Sequence, residues 1–383
     1  MDPSPAKDNL DFKQLYSLLQ SVFALNPKEG SLTIMVDLPD ARLKDTPAWM
    51  DRRRIALEWH QTLSEKIDEL PFDAVLLCAY RNVGTNNNDL PGTLNVIHTT
   101  GTHTYAPAQE ASLEQILKSS SVVLAPTELS ATAPLKNWAK AIGFRGATMP
   151  GFSREMIPAL MLNYEDVHAR VADLAPRLNR AVRSDIRFEA NNRHCALEID
   201  LRHRSAHASD GLMREPGTVA NLPSGEAYIV PYEGEKTGDP STTKGEIPVQ
   251  FGDEVVVYRI ECNKAVDVLT SGTGSDSERS KLRNEPAYGN IAELGLGVLG
   301  EWGVRAMGSI LVDEKLGLHI AFGRSEHFGG STGPAAFRNP GNVIHIDRVY
   351  VPGSQPAINV PEVSLTYEGG MSEVIMRNGK YTV

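Results

Sequence analysis

At 383 residues the chain is longer than one ordinary hydrophobic core supports, so two domains are expected. With 41% hydrophobic and 22% charged residues it has the composition of a soluble globular protein, and its net charge of -10 argues against nucleic acid or an anionic membrane as partner. The polar start MDPSPAKDNLDFKQ has no secretory pattern, no run of roughly 18 or more apolar residues suggests a membrane span, and Cys78, Cys195 and Cys262 form no CxxC pair, which together fit a reducing, cytoplasmic setting.

In chain order, Asn9 to Ala24 carries Leu10, Phe12, Leu15, Leu18, Leu19 and Phe23 at helical spacing, and SLTIMVDL (Ser31 to Leu38) follows as an apolar strand. The alternation repeats: helix Trp49 to Leu70, strand Phe72 to Tyr80, helix Leu113 to Lys118, strand Ser121 to Ala125, helix Ala133 to Ile142, strand Phe144 to Met149, then helices at Arg154 to Leu162 and Glu165 to Val182. Continuously apolar strands separated by helices imply a parallel sheet covered on both faces. An α/β domain with an open parallel sheet is therefore expected over residues 1–185, serving as scaffold and substrate-access domain. It holds no GxGxxG or GxxxxGK[ST] loop, so a nucleotide is not implied.

From residue 186 to 383 the texture changes to an α+β, mostly antiparallel domain. Short strands are read at Arg187 to Ala190, Cys195 to Arg202, Glu226 to Val230, Glu254 to Glu261, Gly308 to Val312, Leu318 to Phe322, Asn342 to Val351 and Val363 to Tyr367, with a closing hairpin near Gly379. Helices are placed near Ser280 to Arg283 and Asn290 to Arg305.

The stretch from Met307 to Val351 crowds Asp313, Glu314, His319, His327, His345 and Asp347 among short strands and Gly/Pro loops. Carboxylates and imidazoles are costly to bury unless something pairs them, and a divalent metal is a common partner. In NVIHIDRVYV the strand period of two puts His345 and Asp347 on one face, with Ile344, Ile346 and Arg348 on the other. SILVDEKLGLHIAFG is read as a hairpin turning at EKLG, which would bring Glu314 near His319. Upstream, NLPSGE sets Glu226 at the head of an apolar strand. NIAELGLG sets Glu293 just before two glycines that allow close backbone approach.

NLPSGE, ELGLG, DEKLGLHIAFG with its following GG, and the HID strand resemble, in order and spacing, the thermophilic-type metallo-aminopeptidases of the aminopeptidase T and S family. The likeness is specific over Val219 to Val351 and looser over Ser121 to Gly151. It implies an α/β N-terminal domain, a catalytic C-terminal domain with two divalent ions (Zn, Co, Mn or Mg), a homodimer, a peptide or small-molecule substrate, and metal ligands at Glu226, Glu293, Glu314, His319, His345 and Asp347. Either Glu226 or Glu293 would bridge the ions or act as base. The family's catalytic tyrosine position falls on Glu326, so Glu326 or His327 is expected in its role.

A branch with the same overall fold holds ring-cleaving dihydroxypyridine dioxygenases with one Fe(II) on two His and one Asp. His345 and Asp347 fit that set, but the branch's other histidine falls on Glu293. A repurposed metal-binding protein without peptidase activity is the third reading. Gly295, Gly297 and Gly300 spell GxGxxG, but with no strand expected to lead into them they imply no dinucleotide. His203 and His207 lack the Glu of HExxH, and Ser224 and Ser325 lack a GxSxG elbow.

Overall fold

The computed structural model describes residues 9–98 and 106–383, so the first eight residues of the polar start lie outside the described residues. The chain forms two compact units, residues 1–168 with 211–224 and residues 169–210 with 225–383. The boundary expected at residues 185/186 falls inside the strand Ala181–Ala190 of the second unit.

In the first unit, the helix Phe12–Phe23 starts where sequence chemistry starts it: Asp11 accepts from the Gln14 backbone N–H and Gln14 returns a bond to the Asp11 backbone. Its buried stripe is Leu15, Leu18, Leu19, Val22 and Phe23. The helix expected from Trp49 runs Pro47–Ser64, entered through a Thr46 cap and Pro47, and gives way to a short 3-10 turn at Ile67–Glu69. The seven-stranded sheet runs Val219–Asn221, Arg145–Thr148, Ser120–Ala125, Glu29–Leu38, Phe72–Arg81, Thr93–His98, Ala106–Ser112. Its first five strands are parallel, four of them as expected and the fifth, Val219–Asn221, an unexpected contribution from later in the chain. The last two are an antiparallel edge pair that apolar patterning did not signal, since Ala106–Ser112 reads APAQEAS. Met35, Cys78, Leu117, Val123, Leu135 and Phe144 meet in one core cluster.

The second unit holds an eight-stranded and a five-stranded sheet. The smaller runs His345–Val349, Leu318–Gly323, Ile291–Gly297, Glu226–Ile229, His207–Ser209, antiparallel throughout. One face carries Ala227, Ile229, Leu294, Leu296, Leu318, Ile320 and Phe322, all buried. Phe322 meets Tyr258 of the larger sheet with ring centroids 5.3 Å apart, so this face closes a two-sheet core. Fully burying each of the leucine, isoleucine and phenylalanine side chains contributes about 1.5–3 kcal/mol.

Two expectations fail here. Asn290 to Arg305 is not a helix: Ile291–Gly297 is a strand, and a short 3-10 turn follows at Leu299–Trp302. The alternation of Glu293, Gly295 and Gly297 with Leu294 and Leu296 has period two, and paired glycines disfavour a helix. A strand therefore does lead into the Gly295, Gly297, Gly300 series, but no helix follows it to receive a phosphate. The hairpin SILVD-EKLG-LHIAFG is also replaced. Ile310–Asp313 is a helical turn and Glu314–Leu316 a 3-10 turn before the strand Leu318–Gly323. Asp313 drives the difference, because its carboxylate accepts from the Met307 and Gly308 backbone N–H groups, each at 2.9 Å, and curls the chain back on itself.

Candidate metal centre

The five-stranded sheet assembles the site because its register sets five of the candidates on the same face. Across the ladder Glu226 pairs with Gly297, Gly295 with His319, Glu293 with Ala321, Ala321 with Asp347 and Gly323 with His345. Directly opposed residues of antiparallel strands point to the same side, so Glu226, Glu293, His319, His345 and Asp347 all leave the face opposite the apolar one. Glu314 reaches the group from the preceding 3-10 turn.

Close backbone approach brings that turn in. A Cβ on Gly295 would lie 1.9 Å from His319 Nε2, one on Gly297 2.2 Å from the Lys315 carbonyl carbon, and one on Gly300 2.4 Å from the Leu316 oxygen. Three glycines of one strand and its exit thus make a groove for residues 315–319. This is the close approach expected of the two glycines after Glu293.

Two overlapping groups result. Glu226, Glu293 and His319 converge, as do Glu293, His345 and Asp347, with ligand atoms of each group within 4.8 Å of one another. Glu293 belongs to both: its Oε1 lies 3.2 Å from His319 Nε2 and its Oε2 3.4 Å from His345 Nε2. His345 Nε2 is also 3.6 Å from Asp347, and His319 Nε2 3.5 Å from Glu226 Oε2. Both imidazoles are oriented from behind. His345 Nδ1–H donates to the Arg324 carbonyl at 2.7 Å and His319 Nδ1–H to the Gly317 carbonyl at 3.4 Å, which turns each Nε2 inward.

Sequence reasoning missed Lys315. Its buried ammonium bonds both Glu226 and Glu314. The signal lay in plain view as a basic residue inside DEK, but a turn lysine reads as solvated. Burial opposes its charge, yet the Glu226 and Glu314 carboxylates hold it above its ordinary value. Glu314 is pushed up to about 8 by burial, Glu226 and Asp347 against the pull of Lys315. Burial and the Glu293 charge raise Glu226, whereas bonds from His319 and His345 overcome burial and hold Glu293 well below the carboxylate range. Burial works against protonating His319, but Glu293 and Glu226 bring it up to about 9.

The remaining candidates separate. Asp313 is spent on its own turn. Glu326 faces outward onto Arg324, with Oε2 2.8 Å from Nε. His327 lies at the rim, its ring centroid 5.1 Å from that of His345 and 4.0 Å from Phe328. Burial, with His345 and Arg324 nearby, pulls it down to about 4. His203 pairs with Asp239, and His207 stacks on Tyr228 at 5.1 Å. Tyr228 sits on the site face two residues after Glu226, and burial together with the Glu293 and Glu226 carboxylates raises its phenol above the ordinary value.

A divalent cation fits this donor set. Glu226 Oε2 is buried with no hydrogen-bond partner among the described residues, an orphan acceptor aimed at His319 and Glu293. Oxygen and imidazole donors without thiolate suit zinc, cobalt, manganese or magnesium. The class defined so far is a two-unit α/β plus antiparallel β protein whose second unit carries carboxylate–histidine groups that could hold a metal ion.

No family model matches the chain, and no curated protein matches it. Among solved structures it is similar to 2,5-dihydroxypyridine dioxygenase from Pseudomonas putida KT2440, with a TM-score of 0.59 and 15% identity over 99% of both chains. It is also similar to wild-type AmpT from Thermus thermophilus, with a TM-score of 0.54 and 15% identity over 97% of this chain and 99% of that one. At such identity the likeness is one of fold. No helix among the described residues is long and apolar enough to cross a membrane.

Proposed function

We propose that the chain is a metal-dependent aminopeptidase that removes N-terminal residues from peptides. The observation that carries this reading is Glu293, shared between two three-residue groups, which is the arrangement two neighbouring ions require. Glu226, Glu293 and His319 would hold one ion and Glu293, His345 and Asp347 the other. Such ions supply Lewis acidity to a peptide carbonyl and make a water acidic enough to lose its proton near neutral pH.

The chain's own groups have distinct tasks. The Arg324 and Gly317 carbonyls keep His345 and His319 turned inward. Lys315 ties Glu226 to Glu314, and Glu226 or Glu293 would bridge the ions or act as the base that takes a proton from the adding water and returns it to the departing amine. Hydrolysis of leucine- and other aminoacyl-anilides with added Co, Zn or Mn tests the reading, and absence of turnover with every metal would sink it.

A second reading is supported by the group Glu293, His345 and Asp347 taken alone and by the fold likeness to a dihydroxypyridine dioxygenase. There the chain would hold one Fe(II) and cleave a dihydroxylated ring. A carboxylate in place of one of the two histidines of the usual facial set weakens it. Oxygen uptake with Fe(II) and 2,5-dihydroxypyridine, at one ion per chain, would favour it over hydrolysis.

A further inference from the structure

The second unit has one tyrosine that its fold does not use. Tyr232, Tyr258, Tyr288, Tyr350, Tyr367 and Tyr381 each donate their hydroxyl to a carboxylate or a backbone carbonyl. The half-buried Tyr228 makes no hydrogen bond through its hydroxyl to any described residue, and that oxygen is not among the buried atoms left without a partner, so it opens to solvent. A phenol with an apolar body held in the protein and a free polar tip is available to a ligand.

Its placement favours the ligand. Tyr228 stands two residues after Glu226 on one strand and so shares its face. Across the ladder it opposes Gly295, which in turn opposes His319. Because Gly295 has no side chain, nothing from the intervening strand stands between the phenol and the imidazole that leans over that glycine. The ring is held on two sides, stacked on His207 at 5.1 Å and edge-on to Phe328 at 5.1 Å, while Phe328 also meets His345 at 5.4 Å. The ring is therefore held between the His207 and Phe328 rings, which leave the hydroxyl unengaged on the site face.

We propose that Tyr228 is a further catalytic residue of this centre, donating a hydrogen bond to the substrate's carbonyl oxygen. As water adds to the scissile carbon, the carbonyl π pair moves onto that oxygen, and the Tyr228 O–H bonds to the growing negative charge without giving up its proton. The pair returns to re-form the carbonyl as the C–N bond breaks, and the amine leaves with the proton that the water surrendered to the carboxylate base. The inference rests on the hydrolytic reading above. It also explains how the centre works with Glu326 turned onto Arg324, because the phenol arrives from another strand.

Y228F keeps both ring contacts and removes only the hydroxyl, so it isolates the proposed bond. With an aminoacyl-anilide as substrate, kcat is expected to fall about 100-fold, the usual cost of removing one oxyanion donor, while KM and bound metal measured by elemental analysis stay the same. In calorimetry, a leucine phosphonate mimicking the tetrahedral state is expected to bind Y228F correspondingly more weakly than the unsubstituted protein, with free leucine bound alike by both. Unchanged kcat in Y228F would overturn the role of Tyr228 and leave the hydrolytic reading standing. Loss of bound metal in Y228F would also overturn it, by making the residue structural. Absence of turnover by the unsubstituted protein with every metal would remove the hydrolytic reading, and the inference with it.

Discussion

Both units bury carboxylates, and the difference in how they do it separates scaffold from site. In the first unit, Asp37 at the end of a parallel strand accepts from Trp49 Nε1 at 3.0 Å and from the backbone N–H groups of Glu128 and Leu129 at 2.7 and 2.9 Å. Glu29 accepts from Arg145 at 2.6 Å and from Asn26 at 2.7 and 2.9 Å. Each acid has its own donors. In the second unit four carboxylates and two imidazoles face one another around a single lysine, and one oxygen of Glu226 is left without a donor. Buried acids that satisfy themselves hold a fold together, whereas buried acids left short of donors are the ones that could hold a cation.

The comparison is broken or sharpened by the following substitutions. The largest stability effect belongs to the first unit. Glu29→Ala strands the buried Arg145 guanidinium and is expected to cost about 3–5 kcal/mol in urea unfolding, with metal content per folded chain unchanged. A parallel loss of metal would show the two regions to be less distinct than their chemistry implies. Glu293→Gln strikes both groups at once. Since partners behind a ligand are typically worth about 10–100-fold in metal affinity, the loss of a shared ligand is expected to exceed about 100-fold for both ions, read by competition with a chelating dye. Loss of one ion only would argue against sharing.

Gly295→Ala places a methyl where the His319 imidazole lies, and is expected to weaken metal binding about 10-fold while shifting thermal unfolding only modestly. The smallest effect is a pH dependence. Bonds from Asn26 and Arg145 overcome burial and hold the folded Glu29 carboxyl below its ordinary value of 4.5. The stability it contributes is thus fully present above that value and lost as pH falls through the lower folded one. The stability gap between the unsubstituted protein and Glu29→Gln should therefore narrow on acidification below about pH 4.5 and stay constant above it. A gap that widened would reverse the assignment.

Helices and apolar strands of the first unit were legible because a helical stripe and a continuous apolar run are local signals. The edge pair Thr93–His98 and Ala106–Ser112 was not, since an edge strand needs little apolar content. In the second unit, the sidedness of His345 and Asp347 followed from the strand period, and the glycines after Glu293 announced a close approach. Lys315 and Tyr228 were hidden, because a lysine in a turn and a tyrosine in a strand look alike whether or not they meet a carboxylate cluster.

What the sequence determined by itself was the chemistry available: which acids and histidines exist, their spacing along strands, and the glycines that admit them. Tertiary structure decided their use. Register between strands far apart in the chain made Glu293 common to two groups, and the turn at Asp313 rather than a hairpin carried Lys315 between Glu226 and Glu314. Spacing along one strand is set by backbone geometry, but the distance between side chains on different strands is set only when the apolar face beneath them packs.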